Sequence, residues 1–332
     1  MINPEAQLVA NVFAKDIERK PTRDGFGTGT VEAGKADPNV VVLCADLKES
    51  TRAEWFEKVF PDRYIEMGVA EQNLATVSAG LSAVGKVPFF ASYAAFSPGR
   101  NYEQIRTTIA LNNRRAIVCG MHAGVSVGPD GATHQMLEDI GLMRSLPGMN
   151  VIVPSDAEEA RKAVLAAAAA DHPSYIRFGR SGVPVYTTPA TPFAIGKALT
   201  LWRSEKPKVA LLATGAQAYD ALVAARALDA DGIGTIVLSV PSVKPLDEAA
   251  VLAAAKETGR VITIEEHQTA GGFGSAVAEY LSSVHPVRVV RMGVVDAFGQ
   301  SGEPAELLAH YKLDSVAIAA RARELTGEQT TI

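Results

Sequence analysis

Two histidines, His122 and His134, share one glycine-rich run with Asp130, the fifteen-residue stretch MHAGVSVGPDGATHQ from Met121 to Gln135. Neutral imidazoles in such a loop suit hydrogen bonding to a polyhydroxylated substrate and acid–base transfer. Zinc ligation asks for tighter, regular spacing, and Cys119 closes an apolar run as a small buried hydrophobe would. The same stretch satisfies G-x-S-x-G at 124–128. A nucleophile elbow needs a helix directly after its serine, and Pro129, Asp130 and Gly131 break one. Ser126 therefore reads as a loop serine.

Glu71 lies in YIEMGVAEQN (64–73) and opens a stretch rich in small residues: Ala75, Ser78, Ala79, Gly80 and Ala83. Two readings stand side by side: an acid favoured at a helix N-terminus by the dipole, or a carboxylate packed tightly enough to serve a site. The aromatic run PFFASYAAF (88–96) is either core or a wall on which a flat heteroaromatic ring stacks. GGFG (271–274) lacks both the full G-x-G-x-x-G spacing and a P-loop lysine, so close helix–sheet packing is the better reading. His267, after Glu265 and Glu266 at a strand end, reads as a structural or assembly residue and is assigned no catalysis.

The elements that must position these residues alternate. Short β-branched runs at Val40–Cys44, Tyr64–Met67, Val87–Ala91, Ala116–Gly120, Val151–Val153 and Tyr175–Phe178 enclose helical stretches at Glu71–Val84, Tyr102–Leu111 and Asp156–Ala170. After the proline- and threonine-rich TTPATPF near residue 187, the rhythm restarts. Strands are expected at Val209–Ala213, Thr235–Val240, Val261–Glu265 and Val287–Arg291, with helices at Gln217–Leu228, Glu248–Lys256 and Ser275–Leu281. This predicts an α/β fold of two doubly wound, mostly parallel-sheet domains, at 1–188 and 194–332. Ligands of such sheets bind beyond the carboxyl ends of the strands, where Asp46, Glu71 and His122 fall. The first twenty residues read as an amphipathic helix.

Composition narrows the classes. The chain has 332 residues, a net charge of -5, 47% hydrophobic and 21% charged residues, which fits a folded globular protein. No basic block suggests nucleic acid, and no apolar stretch has the length of a membrane span. Two distant cysteines without a disulfide framework suit a reducing cytoplasm, the expected location.

Taken in chain order, GVAEQN, PFFASYAAF, GPDGATHQ, VPSDAEEA, PSVKPLD and DAFGQSG resemble the transketolase family over nearly the whole chain. The pairing of Glu71 with D-G-x-T-H-Q is specific to transketolases and the related deoxyxylulose-phosphate synthases; 2-oxo-acid dehydrogenase beta subunits share the glutamate without that loop. The resemblance implies a thiamine diphosphate pyrimidine-binding domain followed by a transketolase C-terminal domain. It makes Glu71 the acid bonded to N1′ of the aminopyrimidine, with Tyr93 and Phe96 stacked around that ring. His122, Asp130 and His134 would contact substrate hydroxyls or assist proton transfer. Arg23, Ser50 and Arg180 would hold the acceptor phosphate, for which arginine's planar fork is suited. Asp46 lies in a matching Ala-Asp-Leu segment.

Two departures from the family pattern shape the expectation. Where transketolases carry a further aromatic after Phe96, this chain has Gly99, which implies a length change in Ser97–Arg100 and a rebuilt pyrimidine wall. No G-D-G motif occurs, and the chain begins only about 20 residues before Arg23. The resemblance therefore implies that the Mg²⁺ and diphosphate ligands come from a second chain, an N-terminal transketolase section, in an α2β2 assembly. The expected activity is transfer of a two-carbon ketol unit from a ketose phosphate to an aldose phosphate. The alternatives are a specialised sugar-phosphate or sulfo-sugar transketolase, a deoxyxylulose-phosphate synthase-like half, and a non-catalytic regulatory subunit. Retention of Glu71, His122 and His134 argues against the last.

Overall fold

The computed structural model describes residues 1–327. Strand β1 (Arg19–Lys20) leads into helix α1 (Thr22–Ala36) and then β2 (Val40–Cys44). Helices α2 (Lys48–Thr51) and α3 (Ala53–Val59) precede β3 (Tyr64–Glu66), α4 (Glu71–Ala83) and β4 (Val87–Tyr93). A short α5 (Tyr102–Gln104) runs on as a π-helical stretch, Ile105–Ala110, before β5 (Ile117–Met121). Then come α6 (Asp139–Arg144), β6 (Asn150–Ile152), α7 (Ala157–Ala169), β7 (Ser174–Arg177) and β8 (Val183–Pro184). The second half carries β9 (Leu199–Arg203), β10 (Val209–Ala213), α8 (Gln217–Ala230), β11 (Thr235–Ser239), β12 (Ser242–Lys244) and α9 (Glu248–Thr258). It ends with β13 (Arg260–Gln268), α10 (Phe273–Val284), β14 (Arg288–Val294), α11 (Pro304–His310) and α12 (Ser315–Thr326).

Two sheets organise the molecule, as the alternating pattern predicts. The larger has the order β12-β6-β7-β5-β4-β2-β3 and the smaller β14-β13-β10-β11-β9. All neighbours are parallel except the edge pairs β12–β6 and β11–β9. Strands such as β2 (VVVLC), β5 and β10 are buried along their whole length, as expected where helices cover both faces of a parallel sheet. One face of the larger sheet packs Phe26, Phe56, Ala160 and Val164 from α1, α3 and α7. Its other face packs Leu74, Ile109 and Met143 in a core that continues into Leu212, Val251 and Phe273 of the second half. The two sheets thus share one apolar interior.

Three segments differ from the sequence expectation. The first twenty residues form no amphipathic helix; a single 3₁₀ turn, Pro4–Ala6, ends at Gln7 in a left-handed conformation. Ala6, Val12 and Ile17 then spread over the core of the second sheet, and Ile2 bridges to Trp202. Burying those three side chains from an extended path replaces the helical stripe.

Helix α1 went unforeseen because four glycines hide it. At Gly25 a Cβ would stand 2.2 Å from the carbonyl oxygen of Ala157, so glycine lets α1 lie directly against α7. Finally, PSVKPLD contains a strand that was not among those expected. Its β12 crosses the expected division near residues 188–194 to become an edge strand of the larger sheet, while residues 1–17 cross in the opposite sense.

Candidate functional site

The chain passes from β2 to β3 on one side and then to β4 on the other, which opens a crevice at the carboxyl ends of β2 and β4. Glu71 enters this crevice as the first residue of α4, after Gly68 turns the chain at φ 65. The preceding loops are stapled by Glu66. Its carboxylate accepts hydrogen bonds from the backbone N–H of Asp46 (2.8 Å) and of Gly68 (2.9 Å) and from Tyr64 Oη (2.6 Å). Partial burial pushes the Glu66 pKa up, and these three donors outweigh it and hold it below the ordinary value.

The Glu71 side chain is 2% exposed, and its Oε2 lies 3.0 Å from Nη1 of Arg100. Asn101, fully buried, donates from Nδ2 to the Glu71 carbonyl (2.9 Å) and to Ser97 Oγ (3.1 Å). The turn Ser97–Arg100 is therefore tied to the start of α4. A Cβ on Gly99 would stand 2.1 Å from the Ala95 carbonyl oxygen, so no aromatic fits there. Arg100 instead reaches over the Phe96 ring, 5.2 Å from its centroid.

Beside Glu71 runs a wall of rings. Tyr93 and Phe96 lie 6.1 Å apart and 21° from parallel, and Tyr93 stacks on His122 at 4.1 Å and 22°. His134 meets both aromatics edge-on, at 5.9 and 5.5 Å, while its Nδ1 contacts Thr133 Oγ1 at 2.9 Å.

The far end of the crevice is cationic. His122, buried and held at φ 54, places Nε2 2.8 Å from Nη1 of Arg23. An arginine only donates, so Nε2 accepts and the imidazole carries its proton on Nδ1. Burial first, then the nearby Arg23 and Arg180, push the His122 pKa down to about 3. Nδ1 has no protein partner, nor has the buried Nε of Arg23. Arg23 also donates to the Ser50 carbonyl at 2.7 Å, so Ser50 meets it through its backbone. Arg180 donates to the Val127 carbonyl (2.8 Å) and stands 3.8 Å from Asp130. Arg52, paired with Asp24 at 2.8 Å, adds a third guanidinium whose charge, after burial, lowers the Arg23 pKa. Several positive groups with open donors face one corner, which an anion would satisfy.

The expected residues therefore fall into two linked groups. Tyr93, Phe96, His122 and His134 form the ring wall, and Arg23, Ser50, His122, Arg180 and Asp130 form the cationic corner, with Glu71 joined to Phe96 through Arg100. Asp46 is exposed at the mouth, at φ 57. Arg52, Glu66, Arg100 and Asn101 were not singled out from the sequence for any role here; Glu66 lies five residues before Glu71 in the quoted motif, and Arg100 closes the irregular run after Phe96. The GGFG turn meets a carboxylate of its own chain, because Glu265 accepts from Phe273 N–H (2.6 Å) and Gly274 N–H (2.8 Å). His267 lies away from the crevice, accepting from Gly141 N–H at 3.2 Å. Among the described residues no cluster of three or more His, Cys, Asp or Glu side chains is placed to hold a metal ion, and no helix is long and apolar enough to cross a membrane.

Residues 18–185 match the family model for the transketolase pyrimidine binding domain, and residues 196–318 match that for the transketolase C-terminal domain. A putative transketolase C-terminal section from Methanocaldococcus jannaschii is 38% identical over 308 residues, covering 92% of this chain and 96% of that protein. A 6-deoxy-6-sulfo-D-fructose transketolase subunit, SqwH, from a Clostridium species is 38% identical over 314 residues, covering 95% and 97%. Among solved structures, a split-gene transketolase described as an inactive beta4 tetramer superimposes with a TM-score of 0.86 at 43% identity, covering 92% of this chain and 98% of that one.

Proposed function

The chain belongs to the transketolase family, as a counterpart of its C-terminal section, and from that premise we propose that it is the cofactor-activating subunit of a split transketolase. The observation that carries the reading is Glu71, a carboxylate buried at a helix N-terminus beside near-parallel aromatic rings. That donor set fits a flat heteroaromatic ring with a nitrogen to bond, the aminopyrimidine of thiamine diphosphate. When bound, this cofactor supplies the nucleophilic carbon and the electron sink for cleaving a ketose between C2 and C3.

Glu71 is then the group that shares a proton with the ring nitrogen, and Tyr93 and Phe96 flank the ring. His122 presents its Nδ1–H, open in this structure, to a substrate oxygen, and His134 and Asp130 line the same path. Arg23 and Arg180, with Ser50, hold the anionic end of the acceptor. The corner accepts phosphate and sulfonate alike, since both are tetrahedral oxyanions. We assign Mg²⁺ and the diphosphate to an N-terminal partner section, in an α2β2 assembly. The similar beta4 tetramer is described as inactive, which supports a need for that partner. The units 1–188 and 194–332 and a cytoplasmic setting, suited to the buried free thiols Cys44 and Cys119, complete the proposal.

Reconstitution tests it. This chain, mixed with an N-terminal section, thiamine diphosphate and Mg²⁺, is expected to transfer a ketol unit between sugar phosphates, while the chain alone is expected to be inactive. Glu71→Ala should lower the rate by at least about 100-fold. An unchanged rate in that variant removes Glu71 from the mechanism, and full activity of the isolated chain removes the partner. Parallel assays with phosphorylated and sulfonated sugars separate an ordinary from a specialised transketolase.

A further inference from the structure

The Glu71–Arg100 pair sits where the proposed cofactor has to form its own bond with Glu71. A buried carboxylate without a counter-charge is costly, and Arg100 balances it across 3.0 Å. The two partners are unequal. Glu71 is 2% exposed, whereas the Arg100 side chain is 53% exposed and approaches from the solvent side. The backbone beneath Arg100 is held through Asn101 to the Glu71 carbonyl, so the freedom lies in the arginine side chain. In the same pose the Arg100 guanidinium lies over the face of Phe96, 5.2 Å from its centroid.

We infer that Arg100 is a positioning residue for Glu71, aiming the carboxylate and releasing it when the cofactor's ring nitrogen takes over the contact. The inference rests on the cofactor reading of Glu71 given above. A carboxylate oxygen committed to a guanidinium is a weaker partner for a ring nitrogen, so the two contacts compete for one charge. Part of the intrinsic affinity of the crevice is then spent on displacing Arg100. The turn that carries Arg100 is the same turn that Gly99 makes possible, which links the departure from the family pattern to a specific role.

The test is a titration of thiamine diphosphate, with Mg²⁺ present, into the reconstituted two-chain complex, followed by calorimetry. Arg100→Ala should lower the cofactor Kd by about threefold, the size expected for a half-exposed ion pair. Arg100→Lys, which keeps the charge, should stay nearer the parent value. In a Glu71→Gln background, which itself should bind more weakly, Arg100→Ala should leave Kd where it is. If Arg100→Ala binds the cofactor as the parent does, or less tightly, competition is excluded and Arg100 only braces the turn. If Glu71→Gln alters neither cofactor binding nor turnover, the cofactor reading itself falls and this inference with it. Thermal melting of each variant chain confirms folding, and Arg100→Gln, which removes the charge but keeps most of the side chain and is expected to lower Kd as the alanine variant does, carries the comparison should that variant fail to fold.

Discussion

Each sheet has a crevice where its strand order reverses, and the two are finished differently. In the smaller sheet the acids at the end of β13 are satisfied within the chain. Glu265 caps the start of α10 through two backbone N–H groups, and Glu266 accepts from the backbone N–H of Ser126 in the other half. Arg177, buried with Asp139, donates to the Glu266 carbonyl as well, at 2.8 Å. In the larger sheet, by contrast, two nitrogens of titratable side chains, His122 Nδ1 and Arg23 Nε, are buried and unpartnered. Buried polar groups are ordinarily hydrogen-bonded, and these two open nitrogens belong to one Arg23–His122 contact. The first set of charges joins the halves of the molecule; the second leaves donors unused.

The contrast has opposite pH signatures. His122 has a folded pKa pushed down to about 3 from an ordinary 6.5, so the folded state binds fewer protons than the unfolded one. Stability is therefore lost as the pH falls from 6.5 toward 3, by an amount on the order of 4 kcal/mol. His122→Asn should flatten that acid limb in urea melts of the isolated chain; a limb of unchanged slope would mean that other groups carry it. Glu265 runs the other way. Burial raises its pKa above the ordinary 4.5 despite the nearby His267, so its contribution is complete below 4.5 and fades as the pH rises through the folded value. Glu265→Gln should remove this loss at rising pH and cost roughly 1–2 kcal/mol overall, from the weakened helix cap. The smallest effect belongs to the cationic corner. Arg23→Gln should raise the KM for a phosphorylated acceptor about tenfold, worth roughly 1.4 kcal/mol, with kcat and melting temperature nearly unchanged. An equal rise for an unphosphorylated acceptor would show that Arg23 does not read the anion.

Much of this was legible beforehand, for identifiable reasons. Strands buried on both faces leave continuous apolar runs, and β2, β4, β5 and β10 are such runs. Glu71, His122 and His134 stand at strand ends or in a loop whose composition sets them apart. Helix α1 was hidden because its glycines serve contact with α7 rather than helix propensity. The π-helical stretch within the expected helix 102–111 depends on packing that no local pattern encodes. The Arg100 and Arg52 contacts were out of reach because each joins segments that the sequence separates by 28 or 29 positions.

The exchange of segments between the two halves has a consequence for anyone cutting the chain. A fragment ending in the connector near residue 190 would lose β12 and leave β6 as a bare edge, with its row of backbone donors and acceptors open to another molecule. The complementary fragment would lack the first seventeen residues that cover Leu201, Trp202 and Leu222. Each piece would thus be sticky where the other had shielded it. The two halves behave as clasped hands rather than beads on a string, and a break in the middle of the chain would not be tolerated.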